Sequence, residues 1–190
     1  LSANLNNSQA QFNLGQIYEE GKYIKKDTNK AIHYYILASN QNFMQAQHNL
    51  GVIYNKGEYV KRDINKSFYY YSLAAAQNDP DALYNIGIFY YGGEYHIHDV
   101  NEAIRFFKLA ANLNHRSAQY NLGMFYLKGE IVKSDLNNAI YYLSLAANQG
   151  HNRAQYNLGN IYYRDKNNIY DIISNNIYHI FDIKIRINII

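Results

Sequence analysis

The chain has 190 residues, 18 basic and 15 acidic, a net charge of +3 and no cysteine. So small an excess of positive charge does not argue for nucleic acid, and without thiols a disulfide framework and a thiolate metal site are both excluded. No run of about 18 apolar residues marks a membrane span; the lack of cysteine suits a reducing compartment, and a cytoplasmic location is the expectation.

One glycine recurs at a spacing of 36 residues, as Gly15, Gly51, Gly87, Gly123 and Gly159. A fixed period between 20 and 50 residues is the signature of a stacked repeat array. Residues 1–7 match 109–115, so the chain is expected to open on the end of a truncated preceding repeat. The array should occupy 8–165, in units of about 8–43, 44–79, 80–115, 116–151 and 152 onward, with 166–190 a degenerate half-repeat or cap.

Each unit reads as two helices, A and B. Helix A is predicted over 8–20, 44–56, 80–92, 116–128 and 152–164, with Ala10, Leu14, Ile17 and Tyr18 on one apolar stripe. A glycine inside a helix costs about 1 kcal/mol relative to alanine. Its return in every copy predicts that a neighbouring helix comes too close for a Cβ. Gly21, Gly57, Gly93 and Gly129 stand where a helix ends in the left-handed conformation. Asp27, Asp63, Asp99, Asp135 and Asp171 then precede apolar runs and are predicted N-caps of helix B. Helix B carries Ala31, Tyr34, Tyr35 and Ala38, or in the fourth unit Ala139, Tyr142, Leu143 and Ala146, small residues for close packing with larger ones between. Asn42, Asn78, Asn114 and Gly150 end it, again as left-handed positions. The last stretch, Phe181 to Ile190, alternates apolar and polar residues; it is read as a poor cap or a frayed tail.

The pattern Ala-x-x-x-Leu-Gly-x-x-Tyr-x-x-Gly, followed by Asp-x-x-Lys-Ala-x-x-Tyr-Tyr-x-x-Ala-Ala, resembles the Sel-1-like repeat family, a relative of the tetratricopeptide repeat. The resemblance covers about 8–165. It implies an all-α fold, an α-solenoid wound as a right-handed superhelix of 36-residue helix-turn-helix units, and the work of an adaptor, scaffold or recruiter. Where the family commonly has a second glycine in the connector, this chain has Tyr23, Tyr59, Tyr95 and Ile131.

The polar residue that recurs on helix A is Asn13, Asn49, Asn85, Asn121 and Asn157. In the tetratricopeptide relatives the equivalent asparagine lies on the concave groove and can bond a peptide backbone, and an amide offers both donors and an acceptor for that. The same recurrence equally fits a structural role inside each repeat. Tyr84, Tyr120, Tyr91 and Met124 occupy the variable positions that would line the groove, with packing between repeats as the alternative for the Tyr84 series. The expected function is therefore non-enzymatic: a scaffold that binds a protein or peptide segment on the concave face of the A helices. The alternative is a regulatory or recruiting segment of a larger signalling protein, such as a kinase or ubiquitin-ligase component. No catalytic residue, cofactor or metal ligand is expected. The histidines are scattered, no nucleophile-and-base set recurs, and in His96-x-His98-Asp99 the aspartate has a capping role while a fourth ligand is lacking.

Overall fold

The computed structural model of the chain describes residues 7–92 and 98–164. Among these, α1 (Ser8–Glu20), α3 (Met44–Lys56), α5 (Pro80–Gly92), α7 (Arg116–Lys128) and α9 (Asn152–Arg164) are the A helices. The B helices are α2 (Thr28–Asn40), α4 (Ile64–Ala75), α6 (Val100–Asn112) and α8 (Leu136–Asn148). No strand occurs among the described residues. Each helix packs mainly on its neighbours in sequence, A on B within a repeat and B on the next A. That makes an all-α solenoid with a one-dimensional core. Gly93, Tyr95, His96, Asp171 and the Ile-rich end lie outside the described residues.

The helix ends follow from local chemistry. Asp27, Asp63 and Asp135 each accept an amide hydrogen bond three residues on, and Asp99 accepts two. Gly21, Gly57 and Gly129 end A helices at φ of 67–70°. Asn42, Asn78, Asn114 and Gly150 are also left-handed. Around them the chain closes with bonds from Phe43 N to Ala38 O, Asp79 N to Ala74 O, His115 N to Ala110 O and His151 N to Ala146 O, at 3.0–3.2 Å. This is the six-residue reversal that satisfies the last carbonyls of a helix. The connector needs no second glycine. Asp27 N donates to Tyr18 O, and the same bond joins Asp63 to Tyr54, Asp99 to Tyr90 and Asp135 to Tyr126. The rings at these places stack across each repeat: Tyr18 on Tyr34, Tyr54 on Tyr70, Tyr90 on Phe106 and Tyr126 on Tyr142, with centroids 5.7–5.9 Å apart.

The recurring glycine marks the tightest A–B contact. A Cβ at Gly15, Gly51 or Gly87 would meet the ring of Tyr35, Tyr71 or Phe107 at 2.5–2.7 Å, and at Gly123 it would meet Leu143 Cγ at 2.7 Å. Those four partners are at most 2% exposed. In the second repeat Ser67 replaces the helix B alanine, and its hydroxyl donates to Gly51 O at 2.8 Å. Ala46, Leu50, Ile53 and Tyr54 are buried, whereas their counterparts Ala10, Leu14, Ile17 and Tyr18 are half-buried. The face of α3 is covered by the preceding B helix, and no described helix precedes α1.

A glutamine pair that the sequence did not reveal joins the two helices of three repeats, with its A-helix member buried as Gln11, Gln47 or Gln119. Gln41 Nε2 donates to Gln11 Oε1, Gln77 Nε2 to Gln47 Oε1 and Gln149 Nε2 to Gln119 Oε1, at 2.6–2.7 Å. Gln119 also donates to Ala111 O, and Gln47 to Ser39 O, so each of these two amides ties its own repeat to the preceding B helix. In the third repeat both partners are replaced together, by Leu83 and Leu113. Exchanging both members together leaves no orphaned amide on the buried side, which is why the exchange is tolerated.

Candidate functional site

The A helices lie side by side along the array, and α3 touches α5 directly. Among the described residues, two of the depressions open on the face they present. The first, of about 240 Å³, is lined from α5 by Ile88 and Tyr91, from α7 by Tyr120, Asn121, Met124, Phe125 and Lys128, and from the following connector by Glu130 and Ile131. Four of the residues singled out in the sequence, Tyr91, Tyr120, Asn121 and Met124, meet here. They meet because helix positions one repeat apart fall at the same level on neighbouring A helices. Tyr91 is 40% exposed, and its ring lies 5.4 Å from that of Phe125. Tyr120 is held by stacking on His151 at 4.4 Å. Tyr84 is held equally, on His115 at 4.4 Å and against Phe107 at 5.6 Å, both within its own unit of 80–115.

The five asparagines share a position but not a partner. Asn13 is exposed and accepts from Gln9. Asn49 lines the second depression. Asn85 Nδ2 donates to Asp81 O one turn back at 2.8 Å. Asn121 lines the first depression, and Asn157 Nδ2 donates to Met124 Sδ at 3.2 Å. The bond from Asn157 joins adjacent A helices and braces the surface that the first depression opens.

The second depression is polar. Phe12 and Gln16 of α1, Met44, Gln45, His48 and Asn49 of α3, and Asp79 and Asp81 at the start of α5 line it. Asp79 is buried and has both oxygens in use. Oδ1 caps α5 by accepting from Asp81 N and Ala82 N, and Oδ2 lies 2.8 Å from His48 Nδ1. The hydrogen bond to Asp79 raises the His48 pKa above its ordinary value against the effect of burial. Burial pushes Asp79 the other way, but His48 and the two amides outweigh it and hold the carboxyl below its ordinary value. Asp81 Oδ1 lies 3.0 Å from His115 Nε2. Burial lowers the His115 pKa more than Asp81 raises it. His115 Nδ1 meanwhile accepts from Ala118 N at the start of α7. The ring is thus neutral with its hydrogen on Nε2, and the contact with Asp81 is a hydrogen bond from a neutral donor. Donor atoms of His48, Asp79 and Asp81 fall within 4.8 Å of one another, but a carboxylate already committed to a helix cap and an imidazole is not an open metal ligand.

The sequence offered a partial signal for this polar cluster. The residues preceding the A helices, Asn7, Phe43, Asp79, His115 and His151, fall at the 36-residue period. Four of them cap through a side chain, while Phe43 does not. Imidazole is an uncommon cap, so the histidines were not recognisable as such. Among the described residues no helix is long and apolar enough to cross a membrane. The connector lysines Lys25, Lys26 and Lys133 are exposed, Lys26 lying over the Tyr59 ring at 4.4 Å.

The Sel1 repeat family model matches residues 8–43, 45–79, 80–115, 116–151 and 152–169. No curated protein matches the chain. Among solved structures, a Sel1 repeat protein from Oxalobacter formigenes is 37% identical over 85% of this chain and 66% of its own, with a TM-score of 0.78. The protective antigen c5321 of uropathogenic Escherichia coli, described as displaying an SLR fold, is 32% identical over 85% of this chain and 35% of its own, with a TM-score of 0.81. Cysteine rich protein B of Helicobacter pylori is 28% identical over 70% of this chain and 96% of its own, with a TM-score of 0.54. This chain therefore spans less than two thirds of the length of the first two. With matched repeats from residue 8 to residue 169, the chain belongs to the Sel1 repeat family.

Proposed function

We propose that the chain is a non-enzymatic scaffold that binds a protein or peptide segment along the face formed by its A helices. The observation that carries this is the side-chain-sized depression between α5 and α7, with Tyr91 and Met124 as apolar walls and the Asn121 amide on its lining. Its volume of about 240 Å³ falls below the roughly 300–1,000 Å³ of small-molecule pockets. One bulky side chain fits it, held on a continuing surface. Tyrosine and methionine are typical of interface cores, and the asparagine can accept from and donate to a peptide backbone. Sel1 repeats are generally protein-interaction scaffolds, which agrees with this reading.

The test is direct. Peptides selected from a random displayed library on the whole chain are titrated against wild type, Tyr91→Ala and Met124→Ala by fluorescence anisotropy. Removing an anchor at the centre of an interface typically costs more than about 1–2 kcal/mol, so each variant should lose roughly tenfold in affinity. Binding unchanged in both variants would place the site elsewhere.

A further inference from the structure

Resting on that binding surface, we infer that the segment it takes carries a basic side chain three to five residues from its apolar anchor, the basic group over Asp81 and the anchor between Tyr91 and Met124. Asp81, Asn85, Ile88 and Tyr91 follow one another at i, i+4, i+7 and i+10 on α5, a single stripe of the helix. The hydrogen bond from Asn85 Nδ2 to Asp81 O marks the two as successive turns of it. At 1.5 Å per residue, the seven to ten residues from Asp81 to the apolar depression cover about 10–15 Å. An extended peptide advances about 3.3 Å per residue, so three to five residues cover that distance.

The two ends of the stripe differ in charge. At the apolar end Lys128 and Glu130 stand together on the rim, one of each sign. At the other end stand Asp79 and Asp81, facing His48 and His115. Asp79 is buried and paired with His48. Asp81 is 63% exposed on its side chain; the neutral His115 imidazole fixes its carboxylate at 3.0 Å without cancelling it, and His48, within 4.8 Å, is paired with Asp79. A held, exposed carboxylate in reach of an amide-lined cleft (Gln16, Gln45 and Asn49) suits an ammonium or guanidinium group. An acidic side chain there would face repulsion, so the stripe also selects against acidic segments.

The probe is the same random displayed library, selected on the whole chain and in parallel on Asp81→Asn. Asparagine retains an oxygen that can accept from His115 Nε2, so the variant keeps the local bond and loses only the charge. Peptides taken by wild type should be enriched in Lys or Arg three to five residues from Phe, Leu, Met or Trp. That basic enrichment should vanish on Asp81→Asn while the apolar one persists. A selected basic peptide should bind Asp81→Asn up to about fivefold more weakly at low salt, and the difference should shrink at 0.5 M salt. Peptides that depend on Tyr91 but show no basic preference would overturn this inference and leave the binding surface standing. Peptides indifferent to Tyr91 and Met124 would overturn the binding surface itself, and so would a selection that enriches nothing.

Discussion

Gly123→Ala separates a packing role from a mere lapse in helix propensity. At a permissive helix position the change would stabilise by up to about 1 kcal/mol. At Gly123 the new Cβ would stand 2.7 Å from Leu143 Cγ, 3.0 Å from Cδ2 and 3.1 Å from the Leu143 backbone nitrogen. Leu143 is fully buried, its Cγ is at the root of the side chain, and the nitrogen belongs to α8. No rotamer change clears both contacts, so α7 and α8 must move apart. Overpacking of this kind costs about 1–3 kcal/mol. Set against the propensity gain, the net loss should be roughly 0.5–2 kcal/mol. Urea unfolding of wild type and Gly123→Ala at equal m-value reads the difference. A Gly123→Ala protein as stable as wild type, or more stable, would refute the close-contact explanation of the recurring glycine.

Two further predictions concern the polar groups. Gln119→Leu alone strips partners from Gln149 and from Ala111 O and should cost about 1–2 kcal/mol by urea unfolding. Adding Gln149→Leu should recover most of it, because the third repeat already has leucine at both places; a double mutant no better than the single would show no coupling. Stability against pH should pass through a maximum near the ordinary histidine pKa of about 6.5. His115 has its pKa lowered in the fold, so its contribution is present above 6.5 and lost as pH falls through the folded value. His48 has its pKa raised, so its contribution is present below 6.5 and lost as pH rises through the folded value. His115→Asn should flatten the acid side and His48→Gln the alkaline side; urea midpoints from about pH 5 to 8 check both, and a profile unmoved by either variant would contradict the assignments.

What could be read from the sequence were the demands that each residue makes on its own backbone or on one fixed neighbour. Asn42 and Gly57 had to be left-handed, Asp63 had to cap, and Gly51 had to admit a close neighbouring helix, because each such demand repeats at the same place from unit to unit. The glutamine pair repeats too, but Gln47 and Gln119 sit among polar neighbours in sequence, and only the stacking of one repeat on the next buries them. The exchange of Leu83 and Leu113 in step was the readable trace of that pair. The recurring asparagines misled in the opposite sense. Their common position suggested a common partner, whereas Asn85 turns back to its own helix and Asn157 reaches across to Met124. His48, Asp79, Asp81 and His115 come from three A-helix segments at unequal offsets. The period links only Asp79 and His115, and the lateral packing of α3, α5 and α7 brings all four together.

Site-specific photocrosslinking distinguishes the two faces of the solenoid most directly. Benzoylphenylalanine is placed at position 91, on the A-helix face, or at position 69, where Tyr69 of helix α4 is 57% exposed. Each protein is irradiated with a labelled peptide selected on wild type. Crosslinking from position 91 and none from position 69 is the predicted result. Crosslinking from position 69 with none from position 91 would contradict binding along the A helices.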